Sequence, residues 1–113
     1  MAYDEELAER IRDELGERGV LANIVEKKMF GGLAFLIDGN MAVAASGKGG
    51  LLVRVDPDRT DALVDGETVT TMVMGGRETR GWLRVVADAV HTDSALAEWV
   101  GLGISYAGSL PPK

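Results

Sequence analysis

The sequence predicts an α+β fold in which a single antiparallel sheet carries helices on one face. Two observations lead to this prediction. Short segments in which large apolar residues alternate with small or polar ones succeed each other through the chain, which is typical of strands. Segments with helical spacing and capping residues stand near the beginning, in the middle and at the end. Strands separated by turns favour antiparallel pairing, so we expect a two-layer architecture.

Length and composition limit the class of protein. A chain of 113 residues is expected to form one domain, residues 1–113. Apolar residues make up 46% of the chain, which is typical of a globular protein. Cysteine is absent and the N-terminus is acidic, so we expect a cytoplasmic protein. No apolar run approaches the roughly 20 residues that span a bilayer, so we expect no membrane association. The net charge of −6 disfavours general affinity for nucleic acid.

The first helix is predicted from Tyr3 to about Arg18. Asp4 is suited to cap its N-terminus, and Gly19 follows its end. Its apolar residues recur at helical spacing and form one stripe, which consists of Leu7, Ala8, Ile11 and Leu15. We therefore expect this helix to lie on the sheet with its acidic side in solvent.

The most specific pattern is a β-hairpin around an Asp-Gly-Asn turn. A two-residue turn would place Met41 opposite Leu36. A three-residue loop would instead pair Phe35 with Val43 and bring all the large side chains to one face. We favour the three-residue loop, with Asn40 in the left-handed conformation.

Paired glycines separate this hairpin from a preceding strand, Ile24 to Phe30. A glycine pair between two strands indicates a bulge, a tight turn or the close approach of another backbone. Anion binding at such a pair would need a helix to follow, and here a strand follows. With the glycine of the hairpin turn, these residues form a structural fingerprint, namely Met29, Phe30, Gly31, Gly32 and Gly39.

The middle of the chain is predicted to continue as strand, helix and strand. Leu51–Val55 is a strand after a glycine-rich loop, and Asp56 is suited to cap a helix that runs to about Val64. Thr68–Met74 is rich in β-branched residues and is expected to be a short edge strand.

The next strand, predicted from Thr79 to about Ala87, has an unusual outer side. It carries Arg80, Trp82 and Arg84, with Arg77 in the turn before it. A basic stripe with an aromatic residue resembles a stacking platform for single-stranded nucleic acid. In the competing interpretation, Trp82 packs in a core or an interface and the arginine stems lie beside it. We favour the second interpretation because the protein is acidic and the stripe holds one aromatic residue.

The last predicted element is a helix that Asp93 would cap. His91, the single histidine, lies in the turn before it and has no Ser or Cys partner in a recognisable catalytic arrangement. Four acidic residues could be metal ligands or paired acids, namely Asp56, Asp58, Asp61 and Asp65, but two of them stand where helix capping and the helix dipole place acids, and no His or Cys is nearby. We therefore predict no catalytic residues, no metal site and no cofactor.

Several blocks, read together, resemble the N-terminal domain family of TfoX/Sxy, bacterial regulators of natural competence. These blocks are Lys28-Met29-Phe30-Gly31-Gly32, Gly39-Asn40-Met41-Ala42-Val43, Leu52-Val53-Arg54-Val55, Gly76-Arg77, Gly81-Trp82 and Ser109-Leu110-Pro111-Pro112-Lys113. The resemblance covers nearly the whole chain. It implies a fold similar in outline to secretion chaperones, with the order α-β-β-β-α-β-β-α. It also implies transcriptional control alongside the cyclic-AMP receptor protein through protein contacts, and it offers no catalytic residues. The competence regulators carry a second, C-terminal helical domain, so the resemblance is to a short, single-domain member.

The expected function is that of a non-enzymatic regulatory domain that acts by protein–protein contact. Its strands carry apolar residues on both faces, and a soluble monomer rarely exposes such a patch. We therefore expect a homodimer or a protein partner across the helix-free face. The candidate interaction surface consists of Leu36, Arg77, Arg80, Trp82 and Arg84. A nucleic-acid-binding module that uses the same arginines is the alternative, and a small enzyme with a deep polar pocket ranks last.

Overall fold

In the computed structural model, which describes residues 3–29 and 31–112 and only the backbone of Met74, the chain forms an α+β fold. Its helices and strands are α1 (Glu5–Glu17), β1 (Ile24–Met29), β2 (Gly32–Ile37), β3 (Asn40–Ala45), β4 (Leu51–Arg54), α2 (Thr60–Leu63), β5 (Val69–Met74), β6 (Arg77–Val85) and α3 (Asp93–Ser109). Short 3₁₀ turns precede β1, α2 and α3. Within the described part of the chain, no helix has the length and apolar character that crossing a membrane requires.

The strands form one antiparallel sheet in the order β1-β2-β3-β4-β6-β5. The fold class predicted from the sequence is confirmed, and so is the order of the helices with strands between them. Four strands, β1 to β4, lie between α1 and α2, and two strands, β5 and β6, lie between α2 and α3. The sheet ends at β1 on one side and at β5 on the other, so the predicted edge position of β5 is also confirmed.

The main core lies between the sheet and the two long helices. The apolar stripe of α1 is buried, as the helical spacing predicts. It packs with α3 against one face of the sheet, through Leu7, Ile11, Leu15, Leu96, Val100, Phe35, Val43, Leu51, Val53, Leu83 and Val85. Burying an aliphatic side chain of this size contributes about 1.5–3 kcal/mol, so this layer supplies most of the hydrophobic stabilisation.

Side-chain caps begin both long helices. The carboxylate of Asp4 accepts a hydrogen bond from the Leu7 amide at 3.1 Å, which confirms the predicted cap of α1. The predicted Asp93 cap of α3 is wrong, because Asp93 is already helical. Thr92 has the extended backbone that a cap needs, and its hydroxyl accepts from the Ala95 amide at 3.2 Å.

The β2–β3 hairpin combines the two registers that the sequence left open. Next to the turn, Leu36 pairs with Met41, which is the register of a two-residue turn. Further along, Phe35 pairs with Val43, which is the register of a three-residue loop. A β-bulge with Ala42 as the extra residue joins the two. The favoured register is therefore confirmed at Phe35 and wrong beside the turn.

The turn itself is formed by Asp38 (φ 53°) and Gly39 (φ 84°), both in the left-handed region that a two-residue hairpin requires. The prediction that Asn40 would adopt this conformation is wrong. Asn40 is instead the first residue of β3 and is buried, and its side-chain Nδ2 donates to the Pro111 carbonyl oxygen at 3.1 Å. This bond ties the hairpin to the segment after α3.

The glycine pair before the hairpin serves two needs. Gly31 has a positive φ of 73° between β1 and β2. A Cβ on Gly32 would lie 2.0 Å from the carbonyl oxygen of Ala45 on the neighbouring strand. The predicted close approach of another backbone is thus confirmed at Gly32, whereas Phe30 lies outside the described residues.

Candidate interaction face

The face of the sheet turned away from α1 and α3 has its own apolar cluster, and we call this side the helix-free face. Its buried members all come from strands and are Ala34, Met41, Ala44, Leu52 and Met72. Met29, Leu36 and Trp82 are half-buried and pack against them. Apolar residues therefore lie on both faces of the sheet, as the sequence indicates.

Less apolar surface is open on this face than the sequence implies. Ala34 and Ala44 are fully buried within the single chain, and Leu52 is 1% exposed. The two alanines are short, and the larger side chains around them leave them no accessible surface. The apolar surface that stays accessible on this face belongs to the half-buried side chains of Met29, Leu36 and Trp82 and to Val25, which lies opposite Leu36 and is 64% exposed.

The strand register places one row of side chains straight across this face. Residues directly opposite each other in paired strands share a face. The row runs over five strands through Lys27, Ala34, Ala44, Leu52 and Arg84. Four strand spacings separate its ends, which is about 19 Å. An apolar strip is thus bounded by a basic residue at each end.

All the charged strand residues on this face are basic. Arg54 lies opposite Trp82. Arg77 lies two residues before Thr79 in β6, so these two residues share a face of the sheet. With the ends of the row, the basic set consists of Lys27, Arg54, Arg77 and Arg84. Among the described ion pairs none involves a member of this set. Its positive charge is therefore not neutralised by the part of the chain described.

The acidic residues of the described strands point away from the helix-free face. Glu26 lies opposite Phe35, which faces the helices, and Glu78 lies opposite Val73, one step out of phase with Met72. Glu26 pairs with Arg12 of α1 at 2.7 Å. This guanidinium lowers the pKa of Glu26 through its hydrogen bond, and Glu26 in turn raises the pKa of Arg12.

One predicted member of the surface does not lie there. Arg80 donates to the Asp61 carboxylate at 3.0 Å and to the Pro57 carbonyl oxygen at 2.9 Å, beside α2. The reason is an irregularity in the β5–β6 pairing between Thr71 and Met72, which displaces the segment around Arg80 from the regular alternation. The predicted stripe of three alternating residues is therefore wrong at this position.

The guanidinium of Arg54 lies between the Trp82 ring and an aromatic ring of α3. The guanidinium carbon of Arg54 stands 4.7 Å from the centre of the Trp82 ring and 5.8 Å from that of Tyr106 on α3. Arg84 donates to the hydroxyl of Ser46 at 3.3 Å. The sequence predicted Trp82 and Arg84 for this surface, and the structure places them together with Leu36 on one side of the sheet.

Sequence reasoning missed Lys27 and Arg54. The two-residue alternation of a strand already shows that Arg54 points to the opposite face from Leu51 and Val53 in β4. It also shows that Lys27 points to the opposite face from Glu26 in β1. Only the register shows which side of each strand faces the helices. A charge pattern that spans several strands could therefore be recognised only after the pairing was known.

Other polar groups are occupied in structural contacts. Arg10 donates to the carbonyl oxygens of Val90 and His91 at 3.0 and 3.1 Å, beside a surface hollow of about 200 Å³. Asp65 accepts from the Thr68 hydroxyl and from the amides of Val69 and Glu67, and these bonds lower its pKa well below the usual range. Among the described residues, no group of three or more His, Cys, Asp or Glu side chains could hold a metal ion.

The fold defines a class of protein, a two-layer α+β domain with an acidic helix layer and a helix-free face that carries apolar and basic residues. The family model for the TfoX N-terminal domain matches residues 18–107 of the 113-residue chain. The chain belongs to the TfoX N-terminal domain family, as the resemblance predicts. No curated protein and no solved structure matches it.

Proposed function

We propose that this protein is a non-enzymatic regulatory domain that binds another protein through its helix-free face. Membership of the TfoX N-terminal domain family suggests a regulatory role. The observation that carries the proposal is the accessible apolar surface of Val25, Leu36 and Trp82 on this face, which is flanked by basic residues without ion-pair partners in the described chain. Apolar centres with charged margins are typical of protein interfaces.

Of the two partners that the sequence left open, a different protein fits this face better than a second copy. A face-to-face homodimer would bring the same four basic residues of both copies together, and like charges across an interface oppose association. We therefore propose a partner of different sequence, and a homodimer across this face becomes an outcome that sedimentation of the isolated protein would reveal.

The cellular setting of the contact is part of the same proposal. The family suggests regulation, and transcriptional control, in competence or otherwise, is the form we propose. Such a contact would be made in the cytoplasm, where bacterial transcription takes place. Reporter transcription in a strain that carries Leu36→Gln, compared with one that carries Leu21→Gln, would test the proposed transcriptional role.

Capture of partners from the native host tests the proposal with matched leucine variants. Leu36 is half-buried on the helix-free face, whereas Leu21 is 45% exposed in the turn after α1. We expect the wild-type protein and Leu21→Gln to retain the same partner and Leu36→Gln to lose it. Retention by both variants would contradict the proposed face, provided that circular dichroism shows each variant folded.

Nucleic-acid binding is the second candidate, because the basic residues of the helix-free face surround Trp82. Two observations weigh against it. Arg54 covers one face of the Trp82 ring, where a base would have to stack. Arg80 is engaged beside α2. A titration of single- and double-stranded DNA that shows no binding would end this candidate, whereas affinity that falls steeply with salt would favour it.

A further inference from the structure

We propose that the partner presents an acidic amphipathic helix, which lies across the strands of the helix-free face. This inference rests on the proposed function and adds the chemistry and shape of the occupant. Three observations carry it, namely the sign of the charge, the distance between the charges and the accessible apolar side chains between them.

The sign of the charge selects an acidic occupant. The chain carries a net charge of −6, so a basic face on it is a local property that the overall composition hides. Lys27 and Arg84 lie on the helix-free face, and no described ion pair neutralises them. Carboxylates from a partner would supply the missing charge and steer the encounter.

The distance between the charges fits a short helix. Lys27 and Arg84 stand at the two ends of the row, about 19 Å apart across four strand spacings. At 1.5 Å per residue, a helix of about 13 residues spans this distance. Acidic residues near its two ends would meet the two basic residues, while an aliphatic stripe between them would meet the accessible apolar side chains of the face.

Accessible apolar side chains lie between the charges. Val25, which lies opposite Leu36, is 64% exposed, and Leu36 and Trp82 are half-buried. An aliphatic stripe of the partner helix would contact these larger side chains, because Ala34 and Ala44 beneath them have no accessible surface. A helix on the helix-free face would give the sheet a second covering layer, which is a stable arrangement for a sheet with two apolar faces.

A designed peptide provides the probe. It is a helix of about 14 residues, roughly 21 Å long, with a leucine stripe and glutamates near both ends. A second peptide carries lysine in place of every glutamate, and oligo-dT represents nucleic acid. Binding of each labelled ligand to the intact protein is measured by fluorescence anisotropy at low and at high salt.

Two neighbouring lysines provide the matched variants. Lys27 and Lys28 are both exposed on β1, but Lys27 lies opposite Ala34 and Lys28 lies opposite Leu33, which faces the helices. Lys27→Glu and Lys28→Glu change the net charge equally. We expect Lys27→Glu to lower the affinity for the acidic peptide about three- to tenfold, and Lys28→Glu to change this affinity less than about twofold.

Charge reversal at both ends of the row gives the strongest contrast. In Lys27→Glu/Arg84→Glu we expect the acidic peptide to lose about tenfold or more in affinity and the lysine peptide to gain. Equal effects of Lys27→Glu and Lys28→Glu would overturn the inference, since net charge alone would then explain binding. Preference for the lysine peptide or for oligo-dT in the wild-type protein would also overturn it.

The outcome separates this inference from the proposed function. If the native partner is lost with Leu36→Gln but is retained by Lys27→Glu/Arg84→Glu, the helix-free face binds a protein whose charge plays no part. The acidic helix would then be wrong, and the proposed protein-binding function would stand. If Leu36→Gln retains the partner as well, the proposed function falls.

Discussion

The two faces of the sheet differ in the size of their side chains and in the sign of the charge near them. The covered face is lined with large residues such as Phe35 and Leu83, which are fully buried under α1 and α3. The helix-free face has a floor of small residues and a basic margin. The covered face is therefore built for stability, and we propose that the other is built for binding.

The acidic balance of the chain is carried largely by the helix layer. Helix α1 alone contains six acidic and two basic residues. The strands supply basic residues to the opposite side of the molecule. Net charge is thus a poor guide to the binding chemistry of either face, because the two signs are segregated.

The largest expected difference comes from two adjacent residues on opposite faces. Phe35 is fully buried under the helices, so Phe35→Ala should lower the free energy of unfolding by about 3–5 kcal/mol. Leu36 is half-buried on the helix-free face, and Leu36→Ala should lower it by about 1 kcal/mol or less. Urea denaturation of both variants measures the difference. Equal losses would show that the two faces do not differ in stability.

Alanine substitutions at two glycines of α3 are expected to change the stability of the protein in opposite directions. A Cβ on Gly103 would lie 2.5 Å from the Ala42 carbonyl oxygen, so Gly103→Ala should destabilise the protein by about 1–3 kcal/mol. A Cβ on Gly108 would meet its nearest neighbour, the Ile37 side chain, at 3.9 Å. Gly108→Ala should therefore stabilise by up to about 1 kcal/mol through helix propensity.

Thermal melting of the two glycine variants checks this contrast. Opposite shifts of the melting temperature would confirm that α3 contacts β3 closely at Gly103 and leaves room at Gly108. A stabilised Gly103→Ala would contradict the packing of α3 on the β3 bulge.

A smaller effect is expected where α1 joins the edge strand β1. Arg12 and Glu26 form a partly exposed ion pair at 2.7 Å, so Arg12→Gln should lower stability by about 0.2–1 kcal/mol. A double-mutant cycle with Glu26→Gln measures the coupling, which should fall as salt is added. A coupling that does not respond to salt would contradict an exposed electrostatic contact.

The pH dependence at Asp65 should be detectable but local. Its folded pKa is lowered by the Thr68 hydroxyl and by backbone amides. The stabilisation is therefore present in full above the ordinary Asp pKa of about 4, and is lost as the pH falls from there through the lowered folded pKa. The stability of Asp65→Asn should vary less with pH in this acidic range than that of the wild type. Identical pH profiles would contradict the hydrogen-bonded turn.

The sequence was sufficient for the fold class, for the stripe of α1 and for the edge position of β5, because each depends on local periodicity. It was insufficient for the hairpin, where a bulge at Ala42 mixes two registers. It also misplaced Arg80, since an irregularity in pairing changes which side a residue faces. Lys27 and Arg84 are 57 positions apart in sequence, and they lie in the same row across the sheet only because of the register of five strands. Such non-local geometry is not encoded in any short pattern.

We propose that the helix-free face is the binding surface of this domain. Amide chemical shifts of the isotope-labelled protein, followed while the acidic helical peptide is added, show which residues the peptide contacts. We expect the perturbed signals to concentrate on Ala34, Ala44, Leu52 and their strand neighbours, with little change in α1 and α3. Perturbations confined to the two helices, or none at peptide concentrations that saturate the anisotropy signal, would contradict it.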